Sequence, residues 1–383
     1  NHYQRLNIEK KKSKQMASPW LIIFSLSLLC LNGRYQFQEL EFECVDIYKQ
    51  PSLQHPRLKN HRIQMRPSDE VLAMLSKDAS SENLSNDEAV AEFDVPKEGC
   101  PVGQVPIHKP RKFNSTDKSF HANGYGTIGQ HAALIQKTDA TPWRGASAWV
   151  GVYQPKVTKD QFSMTLIWLS SEYNGERNTI QIGWGVVPQL YGDHRTRLTT
   201  YWSPDNDDHG CYNTDCKGFV QIDSRHFPGS PFVNISKVGG RQYNAFFSVK
   251  QDPKTQNWLL TSGKHYIGYW PGELLPYLGD GAEKVRYGGF TSAESENLQP
   301  EDIVSPPMGN GNKPLEEEVD LKHTCYMHFV KHVTRDYQNV DIDSNKVAED
   351  ADAGKCYDVS YLENFGSHRQ TFTFGGPGGF CDD

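Results

Sequence analysis

"NTIQIGWGV" occupies Asn178 to Val186, and its alternation sets the fold of the chain around it. In a strand, successive side chains point to opposite faces. Ile180, Ile182, Trp184 and Val186 therefore share one face, while Thr179, Gln181, Gly183 and Gly185 share the other. The first row is an apolar core face. The second is small and open except for Gln181, and it reads as a face that a ligand approaches. The same period of two recurs from Ala133 onward in "ASAWVGVYQP", "QFSMTLIWLS", "RLTTYWSP", "GFVQID", "YNAFFSVKQD", "NWLLTSG", "HYIGYWP" and "KVRYGGFTS". Gly, Pro, Asn and Asp punctuate these runs. Strands at this spacing predict an all-β protein, an antiparallel β-sandwich of two packed sheets. Helical periodicity is scarce, and its best case is "SDEVLAML" (Ser68–Leu75), where Ser68 is placed to cap.

At 383 residues the chain is long enough to bury a sizeable core. A net charge of −7 and a pI near 6.1 give no electrostatic case for nucleic acid as a partner. Trp20 to Leu31 is an apolar stretch preceded by Lys10, Lys11, Lys12 and Lys14. It is too short for a membrane span and suits a removable secretory signal peptide, the sole expected link to a membrane. Residues 1–33 are read as this leader and 34–118 as a less regular, charged propeptide. "HKPRK" (His108–Lys112) near its end reads as an exposed basic site suited to nicking. Residues 119–383 form the sandwich. Glycosylation acceptors at Asn83, Asn114 and Asn234 fit an exported chain.

Export makes the cysteines readable. Cys30 leaves with the leader. Cys44 and Cys100 bracket the propeptide and can pair within it, Cys211 and Cys216 close a short loop, and Cys356 and Cys381 bracket the C-terminal segment. Cys325 is then the odd thiol. "KHTCYMHFVKH" carries His323, Cys325, His328 and His332, but strand alternation puts His323 with Cys325 on one face and His328 with His332 on the other. It reads as a strand bearing exposed histidines, with no metal and no cofactor expected. Gly-rich phosphate loops, G-x-S-x-G elbows and H-E-x-x-H are absent.

"CVDIYKQPSLQHPRLKNHRIQMRPS" (Cys44–Ser68), "CPVGQVPI", "NTIQIGWGVVPQLYGD", "GCYNTDCKGFVQ", "GYWPGELLPYL", "YGGFTS", "PPMGNG" and "FGGPGG" occur in this order. Together they resemble the plant neprosin family of secreted glutamic endopeptidases, over nearly everything after the leader. The resemblance implies an activation peptide ahead of a β-sandwich that cleaves next to proline at acidic pH, outside the cell in apoplast or wall. It also implies two catalytic glutamates, one in N-[ST]-I-E-x-G-W and one closing W-G-G-E. Here those positions are Gln181 and Phe290, with Tyr287 in place of the tryptophan.

A paired-carboxylate peptidase needs one ionised group to activate water and one protonated group for the leaving amine. Glutamine cannot titrate, although its amide can donate to an oxyanion. A phenyl ring offers neither proton nor lone pair. The expectation is a catalytically impaired scaffold retained to bind proline-rich peptides or wall proteins, with Trp202, Tyr201, Tyr287 and Trp270 as cleft platforms and Trp184 in the core. One alternative is an active endopeptidase using displaced acids, Glu294 or Glu172. Another is a carbohydrate-binding sandwich with the same aromatics.

Overall fold

The computed structural model describes residues 42–80, 84–109, 127–136, 142–205, 210–294, 298–299, 302–315 and 319–381. The leader, Asn83, Asn114 and residues 110–112 of the expected nicking site lie outside them. Among the described residues no helix is long and apolar enough to cross a membrane.

The N-terminal part carries β1 (Phe42–Asp46), helix α1 (Asp69–Asp78), β2 (Glu88–Val90) and β3 (Gln104–His108). β1 and β3 pair antiparallel, and the Cys44–Cys100 disulfide lies within that section. Ser68 caps α1 as its position suggests: its hydroxyl accepts from the Val71 N–H at 3.5 Å, and Asp69 and Glu70 complement the helix dipole. Val71 is buried against Val220, Leu259 and Tyr269. His108, read as exposed, is buried edge-on to the Tyr191 ring.

The chain continues through β4 (Thr127–Gln136), β5 (Gly145–Gly151), β6 (Gln161–Tyr173) and β7 (Glu176–Val186). Helix α2 (Pro188–Tyr191), β8 (Arg197–Ser203), β9 (Cys211–Tyr212) and β10 (Val220–Gln221) follow. Next come β11 (Gln242–Gln251), β12 (Trp258–Ser262), β13 (His265–Trp270), β14 (Lys284–Glu294) and β15 (Val304–Ser305). The last are β16 (Cys325–Val333), β17 (Asn339–Asp341), β18 (Val347–Ala351), β19 (Asp358–Asn364), β20 (Gln370–Gly375) and β21 (Gly379–Phe380). One sheet has seven strands in the order β18-β4-β14-β6-β7-β8-β9. The other has ten, β10-β13-β12-β11-β5-β16-β20-β19, with β17 on β16 and β2 added parallel to β11. The all-β reading is correct.

One core joins the two large sheets. Ile180, Ile182, Trp184 and Leu198 from the first meet Ala148, Val150, Phe247, Val249 and Leu260 from the second. Trp184 Nε1 donates to the Gly151 carbonyl at 2.9 Å, which pins one sheet to the other and satisfies the buried indole. The expected pairs Cys211–Cys216 and Cys356–Cys381 are formed as well, and Cys325 is buried and unpaired among the described residues, its thiol pKa pushed well up by burial.

The histidine reading of β16 is overturned. His328 and His332 are both buried, and they lie on opposite faces. His328 stands across from Trp149 and His332 across from Ala146. The register shifts between His328 and Lys331, where Phe329 takes a left-handed φ of 50°. An extra residue of this kind inverts the alternation that a sequence-based parity argument assumes.

Candidate functional site

The two positions singled out by sequence share the outer face of the seven-stranded sheet. Residues directly opposite in an antiparallel pair project to the same side. Gln181 of β7 faces Trp168 of β6, which faces Arg286 of β14. Two pairs along, Gly185 faces Met164, which faces Phe290 and then His131 of β4. Trp168 connects them: it stands beside Gln181 and meets the Phe290 ring edge-on at 6.2 Å. Phe290 also packs on Phe162 at 5.4 Å. Tyr201 of β8, opposite Gln181, is on this face too.

This face is less open than its glycines suggest. Phe162, Met164, Leu166, Val187, Leu190, Tyr201 and Tyr212 form a buried apolar cluster, with Trp168, Tyr191 and Phe290 half-buried at its margin. Gly183 is glycine because a Cβ there would lie 2.0 Å from the Thr165 carbonyl oxygen, and one at Gly185 would touch Met164 and the Thr199 hydroxyl. Close strand approach, and not room for a ligand, explains the small row. Gly183→Ala is therefore expected to destabilise the chain by about 1–3 kcal/mol, read from the denaturant midpoint at unchanged slope.

Charge enters the face beside Phe290. His131 lies between two aspartates, Nε2 at 2.8 Å from Asp350 and Nδ1 at 2.6 Å from Asp352. Burial disfavours its charge, but the hydrogen bonds to Asp352 and Asp350 outweigh that and raise its pKa. Arg286 is half-buried near the same aspartates. Sequence reasoning missed this cluster, because His131 and the aspartates meet only through the pairing of β18 with β4.

The other expected site residues divide. Tyr201 reaches the face but is buried in the apolar cluster. Trp202, Trp270 and Tyr287 are buried in the core between the sheets and offer no platform to a ligand. Trp202 pairs with Ile180, so it shares the core side of β7, and the Tyr287 hydroxyl meets His332 Nδ1 at 2.9 Å. The carbohydrate-binding alternative loses those three aromatics. Glu172 is exposed near the end of β6, opposite Arg177 and two pairs beyond the Gln181 row. Glu294 pairs with Thr127 at the end of β14, and its side chain lies outside the described residues. Asn234 is partly exposed.

The N-terminal part docks through carboxylates. Asp78, at the end of α1, is buried with Oδ2 2.8 Å from Lys250 Nζ and Oδ1 2.9 Å from Lys331 Nζ. Asn339 Nδ2 donates to the same carboxylate at 2.6 Å, and Trp149 Nε1 donates to the Asp78 carbonyl. Glu88, on β2, accepts from the Tyr326 hydroxyl, from Asn244 Nδ2 and from the Ser85 N–H.

Two solved structures of scytalido-glutamic peptidase, one with a transition state analog inhibitor and one with a peptide-based analog, are similar to this chain at TM-scores of 0.36 and 0.35. Identity is 12% and 11%, over 65% of this chain and 98% of each of those. Among families, the neprosin activation peptide matches residues 41–142, a span that runs on through β4, and the neprosin domain matches residues 159–377. With that domain covering more than half of its length, the chain belongs to the neprosin family.

Proposed function

We propose that this neprosin homologue is a secreted protein that has lost hydrolysis and uses the outer face of the seven-stranded sheet to bind proline-rich peptides or wall proteins. Phe290 carries the reading. Its ring packs beside Phe162 and Trp168 at the position where the family resemblance implies a second glutamate, while Gln181 stands at the first. Neither group titrates, so neither can exchange a proton with water or a leaving amine. Trp168, half-buried between the two positions, is the aromatic surface against which an extended proline segment would lie. Three disulfides fit an oxidising, extracellular compartment such as apoplast or wall.

The test is fluorescence anisotropy with a labelled proline-rich peptide, followed by its mass. The expected result is saturable binding with the peptide intact, weakened by roughly tenfold or more in Trp168→Ala. No binding to the native chain rejects the binding half of the proposal. Fragments from the native chain reject the loss of hydrolysis. One observation favours that second reading, an active peptidase: His131, with Asp350 and Asp352, places a titrating group directly across from Phe290. Cleavage that disappears in His131→Gln would support it.

A further inference from the structure

The packing of the sandwich accounts for the His328 ring but not for its two nitrogens. His328 is 0% exposed, and neither ring nitrogen has a hydrogen-bond partner among the described residues. Its ring touches those of Tyr326, Trp149, Phe329 and His368, the last at 5.0 Å. A neutral imidazole presents one N–H and one lone pair, and here neither finds a partner. An unsatisfied buried polar group is unfavourable by about 1–3 kcal/mol, and a missing ion is one of its ordinary explanations.

Two further ligand groups stand beside that lone pair. Glu88, His328 and His368 each offer one atom such that all of these atoms lie within 4.8 Å of one another. His368 Nε2 is 3.1 Å from Glu88 Oε2. Glu88 is held from behind, its Oε1 by Tyr326 and Asn244 and its Oε2 by the Ser85 N–H. Metal-ligating carboxylates are oriented by such outer partners. His368 keeps a side-chain exposure of 14%, which gives an ion a way in. Two imidazoles and one carboxylate form a ligand set that suits Zn²⁺, with a fourth position left for water.

We propose that Glu88, His328 and His368 form a site for a divalent transition-metal ion of the zinc type, which staples the activation segment to the sandwich. Glu88 lies within the activation-peptide match, on the β2 strand that pairs with β11. Both histidines belong to the neprosin-domain match. The ion replaces the contact between His368 Nε2 and Glu88 Oε2, with Nε2 as the ligand atom and the ring proton on Nδ1. It also gives His328 its missing partner. This holds whether or not the cleft hydrolyses anything. A second cluster, Asp223, His226 and His265, has comparable spacing, but it holds no buried ring nitrogen without a hydrogen-bond partner as His328 does. It is the competitor to exclude.

The full chain, stripped with a chelator, is titrated with Co²⁺ and then Zn²⁺. The expected result is a visible tetrahedral Co²⁺ band displaced by Zn²⁺, a Tm raised by several degrees, and slower hydrogen exchange of the 88–90 amides. Glu88→Gln and His368→Gln should abolish all three. His328→Phe, which keeps the buried volume and removes the nitrogens, should do the same. A native chain showing neither band nor Tm shift overturns the proposal. So does a band that survives Glu88→Gln and His368→Gln and vanishes in His265→Ala. Binding that leaves the 88–90 amides unprotected overturns the staple.

Discussion

Phe290→Glu with Gln181→Glu is expected to give a chain that cuts proline-containing proteins in mild acid, where the native chain leaves them whole. General acid–base catalysis contributes on the order of 10²–10⁴ in rate, so the gain should be at least of that size. Phe290→Glu alone should recover part of it, because a glutamate beside a glutamine amide still supplies one titrating group and one oxyanion donor. Gln181→Glu alone should recover nothing. The new carboxylate at position 290 would lie opposite His131, whose ring is already bonded to Asp350 and Asp352. Fragment masses from a proline-rich substrate read the outcome, and the Tm of each variant shows that the sheet survives. A folded double variant that cuts nothing would mean that the face lacks more than its two carboxylates.

Asp78→Ala is expected to be the most destabilising single change in the N-terminal part. It removes the counter-ion of Lys250, and the Asp78 and Lys250 side chains are each only 1% exposed. Breaking a buried pair in this way costs about 3–5 kcal/mol, whereas removing both charges together costs far less. Asp78→Leu with Lys250→Met should therefore recover much of the loss in a denaturant titration. The pH dependence has a definite sign. Burial alone would raise the Asp78 pKa, but the Lys250 and Lys331 charges and hydrogen bonds outweigh it and hold the carboxyl below the usual range. A folded pKa below the unfolded value near 4 gives stability that is present above about pH 4. That stability is lost as the pH falls through the folded value. Glu88, lowered as well, adds in the same direction. A single variant within about 1 kcal/mol of native would show that the lysine pocket does not anchor α1.

Much of this was legible in the residues. The alternation of β7 is realised in full, with Ile180, Ile182, Trp184 and Val186 all buried, because a strand inside a sandwich has only two sides to offer. Ser68 and the paired cysteines were readable because caps and disulfides act over a short reach or by simple bracketing. Tyr287 could have been assigned correctly, since it and Phe290 have opposite strand parity. Trp202 could not, because only its pairing with Ile180 shows which side it takes. Nor could the meeting of His131 with Asp350 and Asp352, which depends on β18 returning to β4 from more than two hundred residues away. The shared face expected of the β16 histidines fails at Phe329, whose left-handed backbone breaks the period of two, and both are buried on an interior strand between β5 and β20.

The place of β4 limits where this chain could be cut without opening the seven-stranded sheet. β4 hydrogen-bonds to β14 on one side and to β18 on the other. Scission after Gln136 would carry an interior strand away and leave β14 and β18 with bare rows of amides and carbonyls. Such raw edges are templates for pairing with another chain, and so for aggregation. A cut ahead of Thr127 removes the covalent tie of the activation segment and keeps β4 between β14 and β18, so that only the short stretch of β11 paired with β2 would be bared if the segment left. The family match to the activation peptide extends to residue 142, but the part that could leave without opening the seven-stranded sheet ends before β4 begins.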